Sequence, residues 1–207
     1  ILEPVQWEGG LYPAHIEFLK GVRELCDKNN ILLGFDEVQC GVGRLGSLFA
    51  YQAFNVEPDM AALAKGLANG LPVGVLCANS KASNVLTFGN HASTFGGNPV
   101  VLSSAKVVLE KLLNGGILKN VQQTGEYLKN ELIKLKENID IIKDVRGMGL
   151  MLGVELKIPA KETLKKCNEL GLLVIGAGEK VIRFVPPLVI TKKDVDYAVE
   201  ILKEALL

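Results

Sequence analysis

The chain has 207 residues, of which 48% are hydrophobic and 22% are charged, so it can bury a substantial core. Lysine plus arginine and aspartate plus glutamate number 23 each, and this zero net charge argues against binding to nucleic acid or an anionic membrane. We expect no signal peptide and no membrane span, since no apolar run approaches ~20 residues. The four cysteines form no CxxC motif and the histidines number only two, which predicts no metal site and a reducing, cytoplasmic location.

Helical and extended patterns alternate over the first part of the chain. A helix is predicted at 13–29, where apolar residues recur on one face, and a second helix at 48–54. Short strands are predicted at 31–35, 60–63 and 73–78. This alternation predicts a mostly parallel sheet covered by helices. A Gly-rich loop at 89–98 then precedes two long helices, at 99–113 and 117–136.

The pattern changes after residue 138 and predicts a compact α+β domain. Its strands are predicted at 141–145, 150–156, 172–175 and 181–184, with a helix at 161–170. Thr191 and Asp194 form a capping box that opens a final amphipathic helix. We therefore divide the chain into two parts, 1–115 and 116–207.

Lys65 and Asp36 carry the strongest chemical signal in the sequence. Lys65 lies in a chargeless apolar stretch, and a lysine in such surroundings becomes a nucleophile toward carbonyl carbon. Asp36 ends the apolar run 31–35, at the edge where α/β sheets bind ligands. Pyridoxal 5'-phosphate requires this pair of residues: a lysine that bonds to its aldehyde carbon, and an aspartate that partners its pyridinium nitrogen. Each residue alone also fits a plainer interpretation: a lysine that reaches solvent past apolar neighbours, and a helix cap or surface pair at Asp36 and Glu37.

Six runs of sequence together resemble the class III (subgroup II) pyridoxal-phosphate-dependent aminotransferases. They are 3–10, 35–44, 58–59, 64–67, 91–99 and 145–150, and their order and spacing match across essentially the whole chain. The runs 25–27, 36–41, 71–74 and 182–188 are most similar to members that act on N2-acetylornithine. The resemblance implies an α/β fold-type I transferase, in which 1–115 is the second half of the large cofactor-binding domain and 116–207 is the small C-terminal domain.

The resemblance implies roles for the residues that would meet the cofactor. Lys65 would bind pyridoxal 5'-phosphate covalently and later move a proton, and Asp36 would keep the ring nitrogen protonated. Gln39 would lie near the ring's phenolic oxygen, although a polar loop residue also fits this position. Thr94, beside Ser93, would bind the cofactor phosphate from the partner subunit. The implied assembly is a homodimer with shared active sites.

Glu8 and Arg146 would form the family's gated pair. The arginine would clamp the distal carboxylate of 2-oxoglutarate, and the glutamate would mask it when a donor without that carboxylate binds. A structural salt bridge of Arg146 at a strand turn is the alternative. Trp7 stands where glycine is usual in the family.

The family's chains are about twice as long as this one, which resembles their C-terminal half. We therefore expect a fragment that needs the missing N-terminal half. The implied reaction transfers an amino group from N2-acetylornithine to 2-oxoglutarate, in arginine biosynthesis. Ornithine, 4-aminobutyrate and succinylornithine aminotransferases are the alternatives, together with a non-catalytic fragment that folds only with a partner chain.

Overall fold

The computed structural model describes residues 1–207, which divide into two compact units. Unit 1 comprises Ile1–Pro4, Ala14–Gly43 and Ser47–Gly116, and unit 2 comprises Val5–Pro13, Arg44–Gly46 and Ile117–Leu207. Two short segments of the first 115 residues thus join the C-terminal part. The strands are β1 Val5–Gln6, β2 Tyr12–Pro13, β3 Gly34–Asp36, β4 Met60–Leu63, β5 Val75–Ala78, β6 Ile142–Met148, β7 Met151–Leu156, β8 Ile175–Ala177 and β9 Val181–Phe184. The helices are α1 Ile16–Lys28, α2 Ala50–Phe54, α3 Pro99–Asn114, α4 Ile117–Asn138, α5 Lys161–Glu169 and α6 Lys192–Leu206.

The sheet of unit 1 has the strand order β3-β4-β5. β3 and β4 are parallel, and Leu2 extends this pairing through a parallel bridge to Phe35. β5 is antiparallel to β4, so the sheet within this chain is mixed rather than mostly parallel. Asp36 lies opposite Ala62 at the carboxyl end of the parallel pair. Polar side chains at this edge therefore face the position where such sheets bind ligands.

A buried carboxylate holds the opposite end of β3 and β4. Asp59, only 4% exposed, accepts hydrogen bonds from Leu33 N at 2.8 Å, Arg23 Nη1 at 2.9 Å and Asn79 Nδ2 at 3.1 Å. Burial alone would raise the pKa of Asp59, but these three donors lower it to about 2. The carboxylate thereby fixes the starts of the two strands relative to α1.

The sheet of unit 2 is antiparallel, with the order β6-β7-β9-β8. Apolar side chains of the sheet pack with α4, α5 and α6 into one core, which includes Leu132, Leu152, Val154, Ile182 and Leu202. β1 and β2 form a short antiparallel hairpin in the same unit. The predicted capping box is present, because the Thr191 and Asp194 side chains exchange hydrogen bonds with each other's backbone N–H at the start of α6.

Two predicted strand boundaries in unit 2 are displaced. The first three residues of the predicted strand 172–175 precede β8, which begins at Ile175. The predicted turn 146–149 lies mostly within β6, which continues to Met148 before a tight connection to β7. Gly147 makes this connection possible: its φ is +121°, and a Cβ there would lie 2.1 Å from Met151 O.

No helix of the structure combines the length and apolar character needed to cross a membrane. No group of three or more His, Cys, Asp or Glu side chains is placed to hold a metal ion.

Candidate active site

Lys65 lies two residues after Leu63, the last residue of β4. Its Nζ donates a hydrogen bond of 2.7 Å to Gln39 Oε1, so the structure brings two of the predicted site residues together. Lys65 has a φ of +47°, a left-handed conformation that is uncommon for a residue with a side chain and that recurs at functional sites. The predicted apolar surroundings are not found, since Lys65 is exposed within this chain. The apolar neighbours in the sequence turn into the core of unit 1 instead, as buried Leu63 and Leu67 do.

Asp36 is the last residue of β3 and is half-buried. Its Oδ1 accepts a hydrogen bond of 3.0 Å from Val38 N, which fixes the start of the turn that carries Gln39. The parallel pairing of β3 with β4 places Asp36 and the residues leading to Lys65 at one edge of the sheet. A carboxylate, an amide and a primary amine therefore share this edge.

Glu37 holds the same turn from inside unit 1. Its side chain is fully buried, and it accepts hydrogen bonds from Ala50 N at 2.6 Å and Tyr51 N at 2.8 Å, at the start of α2. Burial raises the pKa of Glu37, and these two backbone donors oppose the rise. The sequence left a helix cap and a surface pair as plainer interpretations of Asp36 and Glu37. Glu37 forms the cap, at the start of α2. Gly41 closes the turn, because a Cβ there would lie 2.7 Å from Glu37 O.

Ser93 and Thr94 lie in the irregular segment between β5 and α3. Both are exposed, and neither side chain makes a hydrogen bond within this chain. Their hydroxyl groups are therefore accessible to another molecule. The structure does not bring them into hydrogen-bonding contact with Lys65, Asp36 or Gln39.

The residues of unit 1 fit pyridoxal 5'-phosphate by the chemistry of their side chains. The exposed amine of Lys65 can bond to an aldehyde carbon, and Asp36 offers a carboxylate to a protonated ring nitrogen. Gln39 offers an amide that already contacts the amine. The strained backbone at Lys65 agrees with a residue that is positioned for function.

Arg146 does not pair with Glu8, and that prediction is corrected here. Its Nη1 donates to Glu155 and, at 3.1 Å, to Asp144, while its Nε donates to Gly10 O at 2.8 Å. The guanidinium also stacks on Tyr12, 4.1 Å from the ring centroid. With two carboxylates already bound, Arg146 serves the alternative role of a structural salt bridge. It anchors the β1–β2 hairpin to the sheet of unit 2.

Glu8 instead lies against Arg183, which the sequence analysis did not select. Glu8 Oε2 is 3.6 Å from Arg183 Nη1, an ion pair beyond hydrogen-bond distance. Arg183 is 5% exposed, and its Nε and Nη1 have no hydrogen-bond partner, whereas the Glu8 side chain is 74% exposed. Burial lowers the pKa of Arg183, and Glu8 opposes this. A buried guanidinium with unpaired donors and one exposed carboxylate beside it can exchange that carboxylate for one from a ligand.

One signal in the sequence could have identified Arg183. It is a single charge within the apolar strand run 181–184, and arginine is seldom fully buried unless it is paired or functional. The run precedes Pro186 and Pro187, which end the strand just after it. Arg146, by contrast, lies in the run 145–150 that resembles the family, and the glycines of this run form the tight hairpin between β6 and β7.

The chain is similar to known aminotransferases over nearly its whole length. The family described as "Aminotransferase class-III" matches residues 1–206. An acetylornithine aminotransferase of Clostridium acetobutylicum is 46% identical over 207 residues, which are 100% of this chain and 54% of that protein. The solved structure of N-acetylornithine aminotransferase from Stenotrophomonas maltophilia matches with a TM-score of 0.89 and 39% identity, over 99% of this chain and 55% of that chain. Plasmodium falciparum ornithine delta-aminotransferase matches with a TM-score of 0.93 and 33% identity, over 99% and 54%. The chain spans about half the length of the relatives it matches.

Proposed function

Because the chain belongs to the class-III aminotransferase family, we propose that it forms the lysine-bearing half of an enzyme that transfers an amino group from N2-acetylornithine to 2-oxoglutarate. The observation that carries this proposal is the position of the Lys65 amine. It follows β4, donates a hydrogen bond to Gln39 and shares a sheet edge with Asp36. The family's cofactor is pyridoxal 5'-phosphate. When bound, it supplies an electron sink for the pair of electrons left by a proton removed from the substrate.

In this proposal each residue of unit 1 has one task. Lys65 holds the cofactor covalently and, once its amine is released, takes the proton from Cα of the amino donor. Asp36 keeps the ring nitrogen protonated through a charge-assisted hydrogen bond. Gln39 orients the Lys65 amine, to which it is already bonded at 2.7 Å. Glu37 keeps Asp36 and Gln39 in register by joining their turn to α2.

Unit 2 provides the clamp for the acidic co-substrate. The Arg183 guanidinium binds the distal carboxylate of 2-oxoglutarate in this proposal, and Glu8 masks it when the amino donor lacks that carboxylate. The distances support an exchange, because Glu8 is exposed and held no closer than 3.6 Å, while Arg183 is fixed in the sheet. We therefore assign to Arg183 the role first predicted for Arg146.

The exposed hydroxyls of Ser93 and Thr94 support a further part of the proposal. They bind the cofactor phosphate of a partner subunit, so the enzyme is a homodimer with shared active sites. The four cysteines are free thiols, which supports a cytoplasmic location. The proposed reaction assigns the enzyme to arginine biosynthesis.

Ornithine aminotransfer is the second candidate, because solved ornithine aminotransferases match this chain over nearly its whole length. The test is a single-turnover comparison of N2-acetylornithine with ornithine, in protein that also contains the N-terminal half. We expect faster reaction with N2-acetylornithine. Faster reaction with ornithine would reject the proposed donor and favour the second candidate.

The covalent attachment can be tested independently of the donor. Borohydride reduction of protein loaded with pyridoxal 5'-phosphate should fix the label on Lys65, where peptide mapping would find it. Lys65→Arg should abolish the label, and Lys81→Arg should retain it, since Lys81 is a partly exposed lysine of the same unit. A label on another lysine, with Lys65 unmodified, would contradict the assignment.

A further inference from the structure

Trp7 lies in the turn that follows β1, immediately before Glu8. Its ring stacks on Arg183, with the guanidinium carbon 4.3 Å from the ring centroid. A guanidinium at this distance is attracted by the negative face of the indole ring. Glycine, which is usual at this position in the family, offers no such contact.

The Trp7 ring lies against the Arg183 guanidinium, whose edge carries buried donors without a hydrogen-bond partner. Nε and Nη1 lie on that edge and have no hydrogen-bond partner, and Glu8 approaches Nη1 only to 3.6 Å. A carboxylate binds a guanidinium along the edge, in the plane of the group, through two parallel N–H···O bonds. Trp7 and a bound carboxylate can therefore contact Arg183 at the same time.

Arg146 provides a comparison within the same unit. It also stacks on an aromatic ring, that of Tyr12, at 4.1 Å. Its Nε and Nη1, however, donate to Gly10 O, Asp144 and Glu155, and only its Nη2 has no hydrogen-bond partner. Both arginines are stacked on residues of one hairpin, but only Arg183 keeps unpaired donors on Nε.

We propose that Trp7 is a positioning residue that holds the Arg183 guanidinium flat, so that its edge is preorganised for the terminal carboxylate of a dicarboxylate substrate. This inference rests on the proposed function, because it takes Arg183 as the group that binds the distal carboxylate. Trp7 restricts the rotation of the guanidinium and keeps water from one of its faces. Both effects are present before the ligand arrives, so they reduce the cost of ordering the site on binding.

The probe is glutarate, which carries the terminal carboxylate but has no keto group to react. Binding to this chain is measured by titration calorimetry, with glutaramide as the uncharged control. Trp7 is the only tryptophan in the chain, so its fluorescence gives a second signal for the wild type. The variants are Trp7→Leu, Trp7→Phe and Arg183→Gln, with Tyr12→Leu as the matched control that removes the other stacked ring. Circular dichroism checks that each variant is folded.

We expect glutarate, but not glutaramide, to bind and to change the Trp7 fluorescence. Trp7→Leu should raise the Kd of glutarate by about threefold to thirtyfold, the range expected for a cation–π contact at a partly buried site. Trp7→Phe should recover part of the loss, because phenylalanine keeps an aromatic face. Tyr12→Leu should leave the Kd within about twofold of the wild type.

A Kd for Trp7→Leu within about twofold of the wild type, while Arg183→Gln abolishes binding, would overturn the role of Trp7 and leave the proposed function intact. If Trp7→Leu fails to fold, Trp7→Phe takes its place, with Arg183→Gln again required to abolish binding. A Kd for Trp7→Phe within about twofold of the wild type, or a loss of affinity in Tyr12→Leu as large as that in Trp7→Phe, would then overturn the role of Trp7. Unchanged glutarate binding in Arg183→Gln would overturn both the inference and the assignment of the clamp. Absence of glutarate binding up to tens of millimolar would also overturn the inference, since it requires a site preorganised in the free chain.

Discussion

Replacement of Asp59 by asparagine should destabilise unit 1 in a way that depends on pH. The carboxylate is 4% exposed and its pKa is lowered to about 2, against an ordinary value of 3.8. This difference corresponds to about 2.5 kcal/mol of stability at neutral pH. Asp59→Asn removes this contribution and leaves Arg23 with only Asp27. We expect a loss of about 2–3 kcal/mol at pH 7, measured by urea unfolding followed by circular dichroism.

The sign of the pH dependence follows from the lowered pKa. A carboxyl group whose folded-state pKa lies below its unfolded-state value stabilises the fold above about pH 4, and the contribution is lost as the pH falls toward 2. The difference in the free energy of unfolding between wild type and Asp59→Asn should therefore decrease as the pH falls from about 4 to 2. Asp27→Asn is the control, because Asp27 also pairs with Arg23 at 2.7 Å but its side chain is 59% exposed, and it should cost less than about 1 kcal/mol. A difference for Asp59→Asn that stayed constant between pH 7 and pH 2 would refute the reasoning.

Three further predictions concern the site and the core of unit 2. Asp36→Asn should retain cofactor attachment at Lys65 but slow transamination at least about a hundredfold, and a rate within about threefold of wild type would reject its role. Glu8→Ala should make glutamate a better amino donor and N2-acetylornithine a poorer one. Arg183→Lys should weaken the binding of 2-oxoglutarate, since lysine lacks the planar fork of the guanidinium. Equal scaling of both half-reactions by Glu8→Ala, measured in single turnovers, would mean that Glu8 does not act as a gate. Gly125→Ala should destabilise unit 2 by more than about 2 kcal/mol, because the added Cβ would lie 2.4 Å from a backbone oxygen. Gly21→Ala, in α1 with open space around it, should instead stabilise by about 0.5–1 kcal/mol in the same unfolding assay.

The parts of the fold that could be predicted are those set by local sequence. The apolar run predicts a strand at 31–35, and β3, at Gly34–Asp36, overlaps the end of this run and includes Asp36. The capping box of α6 depends on residues three apart, and it forms as expected. The position of Lys65 after β4 likewise follows from the apolar pattern of 60–63. Each of these features needs no knowledge of distant segments.

The pairing of Glu8 could not be predicted in the same way. Glu8 and Arg183 are far apart in sequence, and their contact depends on how the β1–β2 hairpin is seated on the antiparallel sheet. The exposure of Lys65 is a similar case. Its apolar sequence neighbours predict burial, but their side chains point into unit 1 while the lysine side chain leaves the sheet edge. The residue types around Lys65 in the sequence do not determine where its side chain points. That direction depends on the backbone conformation, which is left-handed at Lys65.

The anchoring of the β1–β2 hairpin has a consequence for the speed of the exchange at Arg183. Arg146 fixes the hairpin after Glu8 through Gly10 O and the Tyr12 ring, and Trp7, just before Glu8, stacks on Arg183, so the backbone that carries Glu8 is held on both sides. Glu8 itself is exposed, and it can leave Arg183 by rotation about its own side-chain bonds. Rotamer changes of exposed side chains take picoseconds to nanoseconds, whereas the opening of a loop or lid takes microseconds or longer. If Glu8 masks Arg183 as proposed, the change between the two substrates therefore requires no slow backbone motion at this position.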